Sequence, residues 1–572
     1  MDQRQGPCSS RLLPLVLIAV FLAASPQGVL LAEEGVVDKS TFEEALRLGE
    51  RMYREGLLSS GEPMKAVVQG DIPVDGSMFS CMSCHLRSGV GSIEGTVITL
   101  PTNAGWLFEP FVGARMTQEA RDRLPEHLRR SAFRPAYTRE TLARALRVGT
   151  DPTGRKLNGV MPRYLLNEEE MSIMLDYLEN LSAELSPGVT ETTLYLATVI
   201  TDDVPTEMRD AMLLPLQAHV EAVNSQSRHQ ERRSEAGPFY KEEKFTAYRR
   251  LELSVWELEG PQETWQSQLE AAYQKQPVFA LVGGISMGDW RPIHEFCEAA
   301  QIPSLFPVTD FPVISDTDWY TLYLSKGWYQ QGETVARYLR AADDVGPEDT
   351  VVQIYRDDRV GRVLASALRE TSQALDWLQV EDRRLEPDVT PSAAFWRGLA
   401  SEYPEAVFVL WLESADLAGI EALASAGGRP RYVFLSAPLL GEAIGSVPQE
   451  VRSFTYLTHP YSLPGEKPRA ELATRQWLRS KRLPLTHERI QSEMYFLSGM
   501  LAGSVKHMRH DFYRDYLLDV MDMMRDQYYS VATYSRLSFG PGQRYASKGC
   551  YIVQLGDGPQ PELIARTGWV VH

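Results

Sequence analysis

The chain has 572 residues, more than one compact unit holds at roughly 100–200 residues per domain. Hydrophobic residues at 44% and charged residues at 23% describe an ordinary globular protein and exclude a disordered or fibrous one. Acidic residues outnumber basic ones by 76 to 58, and the resulting net charge of −18 argues against a general binder of nucleic acid or anionic membranes. Five cysteines are too few for a disulfide-built scaffold.

At the N-terminus, Arg4 and Arg11 precede an apolar run from Leu12 to Ala24, followed by small residues. The run is shorter than the ~20 residues a membrane-spanning helix needs. The pattern is that of a secretory signal peptide over residues 1–32, with cleavage between Ala24 and Ala32. An uncleaved anchor is the alternative. No later stretch is long and apolar enough to span a bilayer, so the expectation is an exported, periplasmic chain with no membrane span after processing.

Residues 36–186 read as helices separated by glycine-rich loops. Phe42, Ala45, Leu46, Gly49 and Tyr53 recur at helical spacing. An irregular, glycine-rich stretch from Pro63 to Pro110 follows, and helical periodicity returns over Arg139–Val148 and Glu168–Leu181. Within the irregular stretch lies Cys81-Met82-Ser83-Cys84-His85, the C-x-x-C-H attachment pattern of c-type haem. Two thiols spaced by two residues can both reach the porphyrin vinyl groups from one turn, and the next histidine is carried under the ring to bind iron. A structural zinc site would need a second ligand pair, which the sequence lacks. A thioredoxin-like dithiol would follow a strand in an α/β unit.

Downstream, Gly149-Thr150-Asp151-Pro152-Thr153-Gly154-Arg155 leads through Leu157 to Met161-Pro162-Arg163-Tyr164 and then to an acidic-started helix. With these motifs the region resembles the class I cytochrome c family. The resemblance implies Cys81 and Cys84 as covalent haem attachments, His85 as proximal iron ligand and Met161 as distal ligand. It also implies paired terminal helices at Phe42–Tyr53 and Glu168–Leu181, with Gly49 allowing their close approach. Met78 and Met82 lie too near the attachment turn to serve on the opposite face, and Met171 and Met174 fit a packing face. Met116 and His127 are further candidates by residue type, and Arg163 could pair with a haem propionate or with solvent.

Ser186-Pro187-Gly188 marks a boundary. Beyond it, short apolar runs alternate with amphipathic helices. The runs Leu194–Ile200, Val278–Val282, Val351–Tyr355, Val407–Trp411 and Tyr432–Leu435 read as buried parallel strands. Thr334–Arg340 and Arg362–Leu375 read as helices. Such length implies two α/β lobes, and the charged stretch Ser225–Lys244 reads as an exposed loop in the first. Residues 190–572 resemble type I periplasmic binding proteins of the Leu/Ile/Val-binding kind. The resemblance implies a ligand-contacting turn at Ile285-Ser286-Met287-Gly288, where Ser286 either receives a carboxylate or caps a helix. It also implies an aromatic at Tyr329 that either enters the cleft or packs. The aromatic-rich Trp319–Trp328 stretch departs from the family. Neither a nucleophile elbow nor a phosphate loop is present. Cys297 and Cys550 read as separate buried thiols, with a disulfide as the alternative.

The expected fold is thus multidomain: an all-α cytochrome c domain followed by a two-lobed α/β periplasmic-binding-protein fold. The expected function is single-electron transfer through one covalently attached haem c, coupled to a module that binds a small organic solute or a partner. A periplasmic dehydrogenase or terminal cytochrome would be the redox partner. A redox-reporting sensor and a haem enzyme with an open iron site are the alternatives.

Overall fold

The computed structural model describes residues 39–69, 71–94, 97–110, 134–235, 249–523, 531–540, 542–558 and 561–571. The expected signal peptide, Met116 and His127 lie outside these residues. The first unit is built on two crossed helices, Lys39–Glu55 and Glu168–Asn180. Gly49 permits their approach: a β-carbon there would stand 2.4 Å from the Tyr177 Cβ and 2.8 Å from the Ile173 carbonyl oxygen. Tyr53 and Tyr177 pack at 5.5 Å beside the crossing. Asn167 and Glu170 form a capping box at the start of the second helix, and Glu168, Glu169 and Glu170 place negative charge on its positive dipole end. Thr138 caps Arg139–Val148 in the same manner. Met52, Tyr53, Met64, Leu142, Met171, Met174 and Leu178 close a core separate from the rest of the chain.

The all-α expectation for this unit is corrected by the structure. Lys65–Val68 pairs with Ile72–Asp75 and with Arg163–Tyr164 as an antiparallel sheet, and Ser92–Glu94 pairs with Val97–Thr99. Ala66 and Tyr164 are buried opposite one another. Lys65–Val68 and Arg163–Tyr164 each bury one side chain and Ile72–Asp75 none, too few for a period to show among the surrounding glycines.

Gly188 begins the second region. Its φ is +86°, and a β-carbon there would meet the Phe279 amide at 2.1 Å, so only glycine fits the turn. The first lobe carries five parallel strands in the order Thr321–Leu322, Ser304–Leu305, Ala280–Val282, Thr193–Thr201, Arg250–Leu258. The second lobe carries Val380–Leu385, Val351–Arg356, Val407–Trp411, Tyr432–Ser436 and Thr455–His459 in parallel. Gly549–Leu555 and Leu563–Ala565 then extend that sheet antiparallel. Between these two strand sets the chain returns to the first lobe. Helices Glu488–Met508 and Arg514–Met523 bury Met494, Leu497, Leu517 and Leu518 in the same core as Leu194 and Leu196. The connecting segments pair where they pass, with Ala546 N–H donating to the Tyr323 carbonyl at 3.0 Å and Ser462 N–H to the Thr533 carbonyl at 2.8 Å.

Every strand expected from the apolar runs is present, with ends shifted by a residue or two. The exposed loop at Ser225–Lys244 is corrected: helix Thr206–Glu235 runs through its first half. Gln, Glu and Arg are good helix formers, so charge alone does not mark a loop; residues 236–244 lie outside the described residues. Cys297 and Cys550 are free, buried and in different lobes. Among the described residues no helix is long and apolar enough to cross a membrane.

Candidate functional site

The first unit holds an apolar cleft of about 260 Å³ whose walls include Cys81, Cys84, His85 and Met161. Cys81-Met82-Ser83-Cys84-His85 forms a single helical turn, Cys81–His85, so both thiols and the imidazole project from one short element. His85 Nδ1 lies 2.8 Å from the Leu100 carbonyl oxygen. That carbonyl can only accept, so Nδ1 carries the proton and Nε2 keeps its lone pair. Burial lowers the His85 pKa, partly offset by the Leu100 carbonyl, and so favours the neutral ring, the form that can ligate a metal. Burial also pushes the Cys81 thiol up to about 11, while the Tyr164 hydroxyl at 3.8 Å from its sulfur partly offsets this.

Met161 reaches the cleft from the turn Asn158-Gly159-Val160-Met161. Asn158 shapes that turn, its side-chain oxygen accepting from Val160 N–H at 3.1 Å and its carbonyl from Met161 N–H at 3.0 Å. The next residues pair in the small sheet through Arg163 and Tyr164, and Tyr164 OH donates to the Phe79 carbonyl at 2.8 Å. The loop carrying Met161 is therefore tied to the residues just ahead of the cysteine turn. Arg163 turns outward to Asp71 at 2.6 Å. Arg155 lies on the cleft wall instead, paired with Asp151 at 2.7 Å, beside Trp106 and Tyr137. Arg155, Trp106 and the Leu100 carbonyl were not singled out from sequence; the Gly-bounded loop pointed to the neighbourhood of Arg155 but not to its side chain. Among the described residues no three His, Cys, Asp or Glu side chains converge to hold a bare metal ion. Two thiols, an imidazole nitrogen and a thioether lining one apolar cleft can instead anchor and ligate a flat metal-bearing macrocycle.

The two expected residues of the lobes do not share a cavity. Ser286 is buried at the lobe cleft, where its hydroxyl accepts from Gly288 N–H at 3.0 Å, and Met287 N–H points at Asp203 across 3.4 Å. Around Ser286 the free space is about 30 Å³, bounded by Val308, Thr309, Asp310, Phe311 and Arg489. Arg489 pairs with Asp310 at 3.1 Å. One helical turn on, Glu493 is fully buried, and burial pushes its pKa up to about 7 against the pull of Arg489. Tyr534 OH donates to it at 3.3 Å. Tyr329 opens helix Tyr329–Ala341 and donates to Glu370 at 2.9 Å, within the second lobe. Across the cleft, Arg359 of the second lobe lies 3.8 Å over the Phe311 ring and 3.6 Å from Asp289 of the first. This space fits about one water molecule; a solute requires the lobes to part.

Among curated proteins, none matches the chain. Solved structures with similarity include the fatty acid ABC transporter substrate-binding protein from Thermomonospora curvata, at 13% identity and a TM-score of 0.41, covering 68% of this chain and 95% of that one. A branched chain amino acid ABC transporter from Thermus thermophilus with bound valine is 12% identical, with a TM-score of 0.43 over 67% of this chain and 98% of that one. A substrate-binding ABC transporter protein from Aeropyrum pernix is 13% identical, with a TM-score of 0.42 over 67% and 96%. The family model described as periplasmic binding protein matches residues 247–559, more than half of the chain, with strands of both lobes within the match. That family is one of binding proteins rather than enzymes. The two-lobed topology and this match together place the chain in the periplasmic binding protein family.

Proposed function

We propose that the chain is an exported single-electron carrier in which a haem c, held by the first unit, is joined to a solute-binding module of the periplasmic binding protein family. The observation that carries the reading is the cleft in which Cys81, Cys84, His85 and Met161 meet, with His85 Nδ1 bonded to the Leu100 carbonyl. The residues fit the group. Cys81 and Cys84 would hold it through thioethers, His85 Nε2 would be the proximal ligand and Met161 Sδ the distal one. When bound, the haem supplies an iron that cycles between ferrous and ferric states, and a thioether ligand raises its potential relative to a second imidazole. The chain's own contribution is to fix the imidazole plane through Leu100, to hold the Met161 turn through Asn158, and to keep water from the cleft with Tyr53, Leu107, Leu142 and Leu178. A periplasmic dehydrogenase or terminal cytochrome is the partner this chemistry would serve.

The test is covalent attachment. The chain expressed with a c-type maturation system should retain one haem per chain through denaturation and acid–acetone extraction, and the Cys81→Ala/Cys84→Ala variant should release it. Extractable haem in the wild type would overturn the reading.

For the lobes we propose a small organic solute bound between Ser286 and Thr309 on one side and the Arg356–Arg359 end of the second lobe on the other, with displacement of Arg359 from Phe311. A thermal-shift screen with amino acids, carboxylic acids and alcohols tests this, since a ligand of the folded chain alone raises the melting temperature.

A further inference from the structure

The residues that directly follow His85 are held by the first lobe. Leu86 and Val90 pack against that lobe's core. Between them the chain meets helix Arg514–Met523, where Asp519 accepts from two successive backbone amides: Arg87 N–H at 3.2 Å and Ser88 N–H at 2.9 Å. Ser88 is fully buried, and its carbonyl accepts from Ser182 OH at 2.8 Å. Tyr53 OH, from the first helix, donates to the Leu86 carbonyl at 2.9 Å. The side chains form a second layer of contact. Asp515 pairs with Arg54 at 2.9 Å and with Arg87 at 3.2 Å, and Tyr320 OH donates to it at 3.0 Å. The Arg87 guanidinium lies 4.5 Å over the Trp319 ring.

The two carboxylates differ in what they hold. Asp515 touches side chains at the rim, whereas Asp519 grips the backbone two and three residues after the proximal histidine. A turn of five residues has little rigidity of its own, so its height and tilt are set by what fixes its ends. One end is tied covalently through the cysteines in the reading above; the other ends in the amides that Asp519 receives.

We propose that Asp519 is a positioning residue for His85, through which the solute-binding lobe sets the ligand geometry, and so the potential, of the haem site. This rests on the haem reading of the same site. Burial pushes the Asp519 carboxyl up to about 6, against the two amides that favour its ionised form. The two amides, one on each carboxylate oxygen, hold the group in place.

The experiment compares the full haem-loaded chain with Asp519→Asn and Asp515→Asn. Each removes one negative charge from the same helix, so a charge effect at a distance would move both alike. The expected result is that Asp519→Asn shifts the ferrous-to-ferric ratio at fixed potential at least tenfold, about 59 mV for one electron. It should also displace the hyperfine-shifted haem methyl resonances, which report the imidazole plane. Asp515→Asn should lower the melting temperature and leave both readouts near wild type. Equal shifts in the two variants, or none in Asp519→Asn, would overturn the proposal while leaving the haem in place. Absence of covalent haem from the wild type would instead overturn the reading beneath it. If Asp519→Asn does not accumulate, hydrogen exchange of the wild type decides. Protection of the Arg87 and Ser88 amides equal to that of the lobe core supports the clamp, and exchange at open-loop rates refutes it.

Discussion

Replacing Glu493 with Gln removes a carboxylate that the fold forces toward its neutral form. Glu493 is fully buried beside Arg489 and Asp310, and its pKa rises from 4.5 to about 7. A carboxyl raised in the folded state opposes folding as it ionises: there is no penalty below pH 4.5, the penalty grows between 4.5 and 7, and it stays constant above that. At about 1.36 kcal/mol per pKa unit, the ceiling is on the order of 3 kcal/mol. Gln keeps the shape and the acceptor for Tyr534 but cannot ionise. The stability of Glu493→Gln relative to wild type should therefore rise by about 2–3 kcal/mol between pH 5 and pH 8. For a lobe of 150–250 residues this is a relative gain of roughly 5–10 °C in melting temperature. Thermal melts of both chains at half-unit pH steps measure it, and the difference between them cancels titrations common to the two, including the half-buried His219, whose pKa falls to about 4. A difference that stays flat from pH 5 to pH 8 would mean that Glu493 is ionised throughout as an ordinary partner of Arg489, and the argument would fail.

Gly49→Ala places a β-carbon 2.4 Å from that of Tyr177, so it should cost the first unit about 1–3 kcal/mol. In calorimetry its transition should move down by more than that of the lobes. Arg359→Ala removes a cation–π contact and an exposed ion pair of about 0.5–1 kcal/mol each, enough to shift the closed-to-open balance of the lobes roughly tenfold. Small-angle scattering should then show a larger radius of gyration without solute, and an unchanged radius would show that these contacts do not hold the cleft shut. A fragment beginning at Thr190 should fold without haem, because its cores are separate from that of the first unit. It should nonetheless melt below the same lobes in the full chain, since it exposes Asp519 and the surface under Leu86 and Val90. Equal melting temperatures would count against an energetic contact between the units.

The strands legible in the sequence are those with near-unbroken apolar runs, such as Val407–Trp411, which is buried on both faces. Arg250–Leu258 and Val380–Leu385 went unread because they are sheet edges: Arg250, Glu252, Glu381 and Asp382 interrupt the pattern with solvent-facing charge. At the cleft, the cysteine–histidine turn was legible because the C-x-x-C-H pattern falls within five consecutive residues. The Leu100 carbonyl was not, since any residue could supply a backbone oxygen. Asp519 was hidden for a different reason. It stands 431 residues from Ser88, and only the return of the chain to the first lobe brings them together. Ser286 was legible as a turn residue. Its hydroxyl accepts from the Gly288 amide two residues on, a local turn bond rather than a helix cap, because the next helix starts only at Arg291.

The central claim, one haem ligated by His85 and Met161 and passing single electrons, is tested most directly by a spectroelectrochemical titration of the full chain. The account predicts one reversible one-electron wave, a low-spin ferric form with the weak sulfur-to-iron charge-transfer band in the red, and loss of that band with a lower potential in Met161→Ala. A wild type without that band, whose ferric form is high-spin and takes up cyanide at once, would contradict it.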